Sequence, residues 1–371
     1  MPDGLRIALE VLFWVSLAAL AWTHVLYPLA AAGLARVRER SVRAVDGHVP
    51  SVTVVVAAYN EESVIERRLE NLLALDYPAD KVEILVASDA STDRTDELVE
   101  GFGPRVELVR CTRGGKVAAQ DEAVRRSSGE IVAFSDANAT WAPDALRRLV
   151  RAFGDPDVAY ACGRLQLERA DGSNREGLYW RYELWLRSSE SRLHSVTGGN
   201  GSIYAVRRVD YVDVDPRFGH DLAFPYLMVQ RGKRAVYVPD ALAFEKPTPS
   251  NETEYRRKVR MFEHCWLITL RGSLLRRLPF VYRLEVFSHR LLRYASGLLH
   301  VVLLATSIAL IAQGPVYDVV LGAQLALFLA AAIGVGIARY YSLVSLATIV
   351  SLWNYLRRGV PATWAPPEGT R

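Results

Sequence analysis

Residues 51–89 have the sequence SVTVVVAAYNEESVIERRLENLLALDYPADKVEILVASD, and this stretch decides the fold. The apolar run at residues 52–58 predicts a buried strand, and the run at residues 82–87 predicts a second one. Between them, residues 62–75 predict a helix, because isoleucine and leucine side chains recur on one side at helical intervals. A strand, a helix and a strand in this order predict one βαβ unit.

The same alternation continues toward the C-terminus. It predicts a helix that Thr92 caps, a third strand, another helix and a fourth strand, at residues 92–102, 106–109, 117–126 and 131–134 respectively. Short strands that alternate with amphipathic helices are typical of a mainly parallel sheet covered by helices. The sequence therefore predicts a doubly wound α/β domain.

An apolar segment precedes this domain. Residues 11–34 carry no formal charge, and a helix needs about 20 such residues to cross a bilayer. A cleaved signal peptide is the competing interpretation. It is disfavoured because the segment is too long, acidic Asp3 and Glu10 lie before or at its start, and no small-x-small cleavage site follows. We therefore predict a membrane anchor.

Further apolar segments follow the domain. Residues 295–317 and 319–338 predict a helical hairpin across the bilayer, with a turn centred on Gln-Gly-Pro. Residues 340–356 are shorter, so an interfacial helix is favoured there over a further crossing. The arginine-rich residues 271–293 predict a helix in the headgroup layer.

Basic residues set the expected orientation. Arginines crowd the end of the first span, at Arg36, Arg38, Arg40 and Arg43, and positive flanks stay in the cytosol. We predict a multi-pass plasma-membrane protein with a cytosolic catalytic domain. Its expected parts are an N-terminal anchor at 1–45, the α/β domain at 46–270 and a membrane-associated region at 271–371.

Charge and cysteine content exclude several classes of protein. The net charge is +4, and its excess lies beside the apolar segments, where arginines favour anionic lipid headgroups over nucleic acid. No nucleic-acid partner is implied. Cys111, Cys162 and Cys265 are widely spaced, so a zinc site or a disulfide framework has no basis.

Polar clusters follow three of the predicted strands, namely Tyr59-Asn60-Glu61, Ser88-Asp89 and Ser135-Asp136-Ala137-Asn138. Ligands of open parallel sheets bind beyond the carboxyl ends of the strands, so these clusters predict a nucleotide site. Asp89 can hold a base or ribose hydroxyls, or it forms only a turn and helix cap.

Two further elements suit a diphosphate and its cation. Asp136 and Asn138 can approach one Mg²⁺ or Mn²⁺ that already bridges phosphates, although a capping turn explains them as well. Lys116 opens a helix after Gly114 and Gly115 and can meet phosphate, or it is a solvated surface lysine.

The second half of the domain has candidates for acceptor chemistry. The glycines at 198, 199 and 201 permit close backbone approach to a sugar ring, unless the segment is only a flexible loop. Asp221 enters an apolar helix and can act as a general base, or it caps that helix. The cations at 256–260 suit a pyrophosphate or lipid headgroups, or they form a solvated helix face.

The ordered set of motifs resembles the membrane-bound family 2 glycosyltransferases, relatives of hyaluronan and cellulose synthases. The motifs are AAYNEE, ASDASTDRT, GGKVAAQDEA, FSDANATW, GGNGSIYAVRR, GHDLAF and YRRKVRM, starting at residues 57, 87, 114, 134, 198, 219 and 255. The resemblance covers residues 50–270 closely. It implies a GT-A fold with a Rossmann-like mixed sheet and inverting transfer from a nucleotide-sugar, by family habit a UDP-sugar, to a glycan or lipid-linked acceptor.

The resemblance also implies residue roles. Asp221 is the catalytic base, and Asp136 with Asn138 forms a variant of the metal-binding D-x-D motif for Mg²⁺ or Mn²⁺. The nucleotide pocket comprises Ala58, Asn60, Glu61, Asp89, Lys116 and Asp136. Acceptor or phosphate contacts are expected from Gly199, Asn200, His220, Arg257 and Arg260.

Three departures from the family pattern qualify the activity. Asn138 replaces a frequent aspartate, His220 replaces a common acidic residue, and residues 257–261 (RKVRM) replace the Q-x-x-R-W motif of processive synthases. One or a few transfers per acceptor are therefore favoured over polymerisation. A catalytically silent nucleotide-sugar-binding membrane protein stays open as an alternative. A sugar nucleotidyltransferase ranks last, because no glycine-rich loop follows the first strand.

Overall fold

The computed structural model describes residues 1–45, 47–167, 177–247 and 250–361. Within them, eight strands form one sheet in the order β3-β2-β1-β4-β7-β6-β8-β5. The strands are β1 (Val52–Ala58), β2 (Val82–Asp89), β3 (Glu107–Cys111), β4 (Ile131–Asp136), β5 (Thr140–Trp141), β6 (Val158–Leu167), β7 (Tyr204–Arg207) and β8 (Arg234–Glu245).

The sheet has a parallel half and a mixed half. Strands β3, β2, β1 and β4 are parallel neighbours, and they are the four strands that the sequence predicts. Strand β7 then runs antiparallel to both β4 and β6, whereas β6 and β8 are parallel. The predicted α/β fold with a mixed sheet is confirmed.

In the described parts of the chain, fourteen α-helices accompany the strands. They are α1 (Asp3–Ala21), α2 (Tyr27–Val37), α3 (Ile65–Leu73), α4 (Thr95–Glu100), α5 (Lys116–Arg126), α6 (Ala145–Val150), α7 (Leu178–Leu193), α8 (His220–Gln230), α9 (Asn251–Arg271), α10 (Phe280–Glu285), α11 (Leu292–Tyr294), α12 (Ser296–Ala309), α13 (Pro315–Ala332) and α14 (Gly336–Arg358).

Alternate residues of the strands serve two cores, one on each face of the sheet. Val54 and Val56 of β1 belong to the cluster that includes Ile65 and Leu69 of α3. Val55, between them, belongs to the cluster on the opposite face, which includes apolar residues of α5 and α8. Side chains of a strand point alternately to its two faces, so an apolar run is required when both faces are covered.

Two predicted helices begin later than expected. The helix predicted from residue 62 begins at Ile65, and the helix predicted from Thr92 begins at Thr95. The reason is a pair of loop contacts: the Glu62 amide donates to Asp93 Oδ2 at 3.1 Å, and the Arg94 amide donates to Glu62 Oε2 at 3.0 Å. These residues join the loops after β1 and β2 instead of starting helices.

Two helices among the described residues are long and apolar enough to cross a bilayer, Asp3–Val37 and Pro315–Ala332. The first comprises α1, a π-helical segment at Trp22–Leu26, and α2. The most apolar stretch of each helix is largely exposed, with 17% and 11% of it buried respectively. The anchor and the second limb of the hairpin are therefore present as helices of the expected kind.

The first limb of the predicted hairpin differs from the prediction. Residues 295–317 contain α12, which has only 14 residues, or about 21 Å at 1.5 Å per residue. It is long enough to span a bilayer only together with Phe280–Tyr294, from which it is bent by 62°. The helix predicted for the headgroup layer over residues 271–293 thus begins only at Phe280, and the bend at Ala295 separates it from α12.

The segment predicted as an interfacial helix, residues 340–356, belongs to α14. This helix packs along α9, where the Trp266 indole donates to the Thr348 carbonyl at 2.9 Å and Asn354 Nδ2 donates to Glu263 Oε1 at 2.8 Å. Helix α14 is therefore fastened by side-chain contacts to α9, the last helix of the predicted α/β domain.

Candidate functional site

The polar clusters meet at one edge of the sheet. In the parallel register, Ala58 of β1 lies beside Ser88 of β2, and Ala57 lies beside Asp136 of β4. The residues that follow these strands therefore share the carboxyl edge of the parallel half. This is the position at which open sheets bind their ligands.

The loops after β1 and β2 are bound to each other. Asn60 has a left-handed backbone (φ 55°), and its Oδ1 accepts from the Thr92 amide at 2.7 Å. The amides of Asn60 and Glu61 donate to hydroxyls of Ser91 and Thr95 at 3.2 and 2.8 Å. Asn60 and Glu61 thus form a rigid rim of the site, next to Ala58.

Asp89 holds the loop that leads to Lys116. It is 3% exposed, its Oδ1 accepts from the amides of Gly114 and Gly115 at 2.7 and 3.1 Å, and it pairs with Arg113. The guanidinium of Arg113 lies 3.4 Å above the centre of the Tyr59 ring. Asp89 does not cap helix α4. Its carboxylate instead binds the amides of the loop before Lys116.

Lys116 and Asp136 form an ion pair at the centre of the edge. Their side chains remain partly open to solvent, 26% and 29% exposed. Burial lowers the pKa of Lys116, but the charges of Asp136 and Asp221 outweigh it, so that the pKa is raised. Lys116 is therefore a charged group shared by carboxylates, and the interpretation as a solvated surface lysine is wrong.

Asp136 and Asn138 lie on one face of the chain, since the intervening Ala137 is buried and they are not. Within the described residues, no three His, Cys, Asp or Glu side chains gather closely enough to hold a metal ion. One carboxylate and one amide oxygen fit a cation that takes its other ligands from bound phosphates.

Asp221 lies in the first turn of α8, after Gly219 (φ 74°) at the cap position. No side chain caps this helix, so the N-cap interpretation of Asp221 is wrong. The Asp221 carbonyl accepts from the Gly199 amide at 2.8 Å, and its carboxylate lies close enough to Lys116 to raise the pKa of that ammonium. Asp221 and Asp136 thus act electrostatically on the same lysine.

We name residues 197–202 the glycine loop, and its glycines are required by close contacts. A Cβ added to Gly201 would lie 2.9 Å from Lys116 Nζ and 3.1 Å from Asp136 Oδ2. A Cβ added to Gly199 would overlap the buried Tyr160 hydroxyl. At Gly199, the backbone therefore approaches the protein core closely, whereas the sequence predicted such an approach to a sugar ring.

Asn200 and His220 serve the fold. Asn200 Nδ2 donates to the Gly163 carbonyl at 2.7 Å, and its Oδ1 accepts from the Ile203 amide at 3.0 Å. His220 is 2% exposed and lies against Asp121, Tyr204 and Tyr211 at 3.1 to 3.3 Å. The structure thus contradicts an acceptor contact for His220, because its ring is enclosed by the core.

The two arginines predicted for phosphate contacts lie three positions apart on α9, so they are neighbours on the helix surface, but their surroundings differ. Arg257 pairs with Glu254 at 2.8 Å and interacts electrostatically with Glu245 at the end of β8. Arg260 lines a groove of about 290 Å³ together with Arg256 and Val350, between α9 and α14. Arg257 therefore belongs to the neighbourhood of the site, whereas Arg260 faces this separate groove.

Sequence reasoning missed Glu245 and Arg68. Glu245 accepts from the Ser202 hydroxyl, and burial together with the charge of Asp136 raises its pKa to about 7. Arg68 is 1% exposed and stacks 4.8 Å from the centre of the Trp141 ring. Burial lowers the pKa of Arg68 to about 9, against the charges of Asp136 and Glu245. A carboxylate at the end of an apolar strand signals Glu245, as it does Asp89 and Asp136.

Comparisons with known proteins agree with this geometry. Residues 53–213 match the profile of the Glycosyl transferase family 2. A beta-monoglucosyldiacylglycerol synthase of Synechocystis sp. is 35% identical over 164 residues, 42% of this chain and 33% of that protein. An N-acetylglucosaminyltransferase of Mesorhizobium japonicum is 30% identical over 271 residues, 65% of this chain and 62% of that protein. The chain spans less than two thirds of the length of these curated relatives.

One solved structure covers nearly the whole chain. A mannosyltransferase of Pyrobaculum calidifontis, in complex with GDP-Man and Mn²⁺, has a TM-score of 0.72 and 25% identity. The similarity covers 93% of this chain and 99% of that one. It confirms the predicted GT-A fold.

Proposed function

Because this chain carries a Glycosyl transferase family 2 domain over residues 53–213, we propose that it transfers a sugar from a nucleotide donor to an acceptor hydroxyl at the membrane surface. The observation that carries the proposal is the contact of Lys116 with Asp136, beside the glycine loop and Asp221. This arrangement brings a cation for phosphate and a carboxylate for the acceptor proton to one sheet edge.

The donor side of the proposed site comprises the loops after β1, β2 and β4. Lys116 would pair with the diphosphate, and Asp136 with Asn138 would hold Mg²⁺ or Mn²⁺. A divalent cation bound there would neutralise charge on the departing nucleotide. The bonded rim of Asn60 and Glu61 and the stacked pair of Tyr59 and Arg113 offer a surface for the nucleoside. In this arrangement Asp89 acts through Arg113.

Asp221 is the proposed base. Its carboxylate takes the proton of the acceptor hydroxyl while that oxygen bonds to C1 of the sugar and the bond from C1 to the diphosphate oxygen breaks. Attack opposite the leaving group inverts the anomeric centre. The hydrogen bond from the Gly199 amide to the Asp221 carbonyl supports a fixed position for this residue during the reaction.

The acceptor is proposed to be a lipid or lipid-linked glycan. The apolar helices Asp3–Val37 and Pro315–Ala332 support attachment to the membrane, and arginines after the first span support a cytosolic domain. The name of the Synechocystis relative refers to a glucosyl diacylglycerol, so diacylglycerol is the first acceptor to test. UDP remains the proposed nucleotide, with GDP as the alternative because the solved mannosyltransferase is bound to GDP-Man.

Nucleotide release tests the proposal. Purified full-length protein in detergent would receive UDP- and GDP-sugars with Mg²⁺ or Mn²⁺, with and without diacylglycerol, and Asp221→Asn would serve as the control. We expect acceptor-dependent release of one nucleotide that the variant lacks. Donor binding without release across the panel would instead support the catalytically silent receptor.

A further inference from the structure

The glycine loop is held from behind by an arginine of the membrane-associated region. Arg290 Nε donates to Thr197 Oγ1 at 2.9 Å, at the start of the loop. A Cβ added to Gly198 would lie 2.5 Å from Arg290 Nη2. The guanidinium therefore occupies the space that any other residue at position 198 would need.

The same hydroxyl connects the loop to a buried charge cluster. Thr197, 1% exposed, donates to Glu190 Oε2 at 3.1 Å. Glu190 also accepts from the Tyr27 hydroxyl of the first span at 2.8 Å and lies 2.8 Å from His289 Nδ1. Hydrogen bonds to a buried carboxylate are among the stronger ones in proteins, so this cluster fixes the side chain of Thr197.

Arg290 belongs to a segment that is itself tied to the first span. Val286–Leu291 is π-helical, as is Trp22–Leu26 of the first span. The two segments meet at Ser288, whose hydroxyl accepts from the Trp22 indole at 2.9 Å and whose carbonyl accepts from Thr23 Oγ1 at 2.6 Å. The position of Arg290 therefore depends on packing between helices at both ends of the chain.

We propose that Arg290 is a positioning residue for catalysis, which sets the glycine loop and through it Asp221 relative to Lys116 and Asp136. The loop has Arg290 on one side and the catalytic groups on the other. Its Gly199 amide bonds to the Asp221 carbonyl, and Gly201 lies against Lys116 and Asp136. A shift of about 1 Å at such a loop is enough to cost roughly 100-fold in rate.

Steady-state kinetics of the full-length protein in detergent test the proposal, and this readout rests on the proposed function. We expect Arg290→Lys and Thr197→Val each to lower kcat at least tenfold, while nucleoside diphosphate affinity changes less than threefold. Lysine keeps the charge but lacks the Nε donor. The matched control is Arg293→Lys, three residues further on, because Arg293 pairs with Glu183 and does not contact the loop. A kcat within twofold of the wild type for both variants would overturn the proposal.

A double-mutant cycle separates positioning from general damage. Gly198→Ala should lower kcat at least fivefold in the wild type but less than twofold in an Arg290→Ala background, where the guanidinium is absent. Neighbours in direct contact show such coupling, whereas independent defects are additive. Equal losses in both backgrounds would contradict the proposed contact.

Hydrogen exchange gives a readout that needs no turnover. The peptide that contains the Gly199 amide should exchange at least tenfold faster in Arg290→Ala than in the wild type, and Arg293→Lys should leave it unchanged. Were the wild type inactive with every donor, the proposed function would fail, yet this measurement would still decide the positioning role. Unchanged exchange in Arg290→Ala would refute it.

Discussion

The proposed donor side and the proposed acceptor side of the site are held in place by different contacts. The donor side, formed by the loops after β1, β2 and β4, is held by short-range bonds between neighbouring loops, such as those of Asn60 and Asp89. The proposed acceptor side, formed by the glycine loop and Asp221, is held by Arg290, 93 positions from Thr197, and by Glu190, which also bonds to Tyr27 of α2. The position of the donor side thus depends on the loops of the sheet, whereas the position of the acceptor side also depends on contacts with distant parts of the chain.

The largest expected effect concerns the acceptor side. Asp221→Asn should reduce kcat about 1000-fold, because the amide cannot take the acceptor proton. Nucleotide affinity should stay within about threefold, since the base does not act on the donor. Turnover assays and calorimetry on the same preparation test both statements. If Asp221→Asn lost nucleotide affinity as strongly as it lost kcat, the two sides of the site would not be functionally separate.

The next effect concerns the donor side. Asp136→Ala should weaken metal-dependent donor binding at least tenfold, about 1.4 kcal/mol, because Asp136 brings the formal charge to the cation. Asn138→Ala is the matched control and should cost less, since it removes a neutral oxygen. Titration calorimetry with Mn²⁺ and a nucleotide-sugar measures both. Equal losses would mean that the carboxylate has no special role.

Glu245 lies where the two sides meet, and its titration should be visible in stability. Burial and the charge of Asp136 raise its pKa from 4.5 to about 7, so the folded state holds this proton more firmly than the unfolded state. This firmer binding of the proton adds at most about 3 kcal/mol to the free energy of unfolding. The added stability is fully present below about pH 4.5 and is lost as the pH rises through 7.

Thermal unfolding in EDTA between pH 5 and 8 tests this assignment. The wild type should lose melting temperature toward pH 8 relative to Glu245→Gln, which has no proton to release at this position. If the melting temperatures of the two proteins changed with pH in parallel, the Glu245 carboxyl would have to titrate outside the range of pH 5 to 8.

The smallest expected effect lies in the support behind the acceptor side. Tyr27→Phe removes the hydroxyl that donates to Glu190 at 2.8 Å, which should cost about 1.5 to 3 kcal/mol of unfolding free energy. The donor side should be unaffected, so nucleotide affinity serves as the internal control. Loss of stability by denaturation in detergent, with donor binding intact, would sharpen the comparison. A parallel loss of donor binding would blur it.

The elements that were predicted correctly are those that local sequence patterns determine. The parallel half of the sheet and the edge that gathers Asn60, Asp89, Lys116 and Asp136 follow from strand spacing, because parallel strands place their carboxyl ends together. The GT-A fold followed from the order of motifs. The roles of individual residues remain predictions, apart from His220, which the core encloses.

What could not be predicted depends on contacts across long stretches of chain. Helix α3 begins late because Glu62 binds the loop of Asp93, and such a competitor is invisible to periodicity. Asn200 turns inward to Gly163, which depends on the neighbouring strand β6. From the sequence, Arg290 was expected only to bind lipid headgroups. Its partner Thr197 lies 93 positions earlier, so no local pattern indicates the contact.

The meeting of the two π-helical segments has a consequence for biogenesis. Trp22 and Ser288 are separated by 266 positions, and a ribosome that adds about 5 to 20 residues per second needs on the order of tens of seconds to bridge them. The Trp22 indole therefore cannot bond to Ser288 until that residue has been synthesised. The contact of Arg290 with Thr197 is likewise possible only after residue 290 has been added, long after the glycine loop and Asp221 have been synthesised.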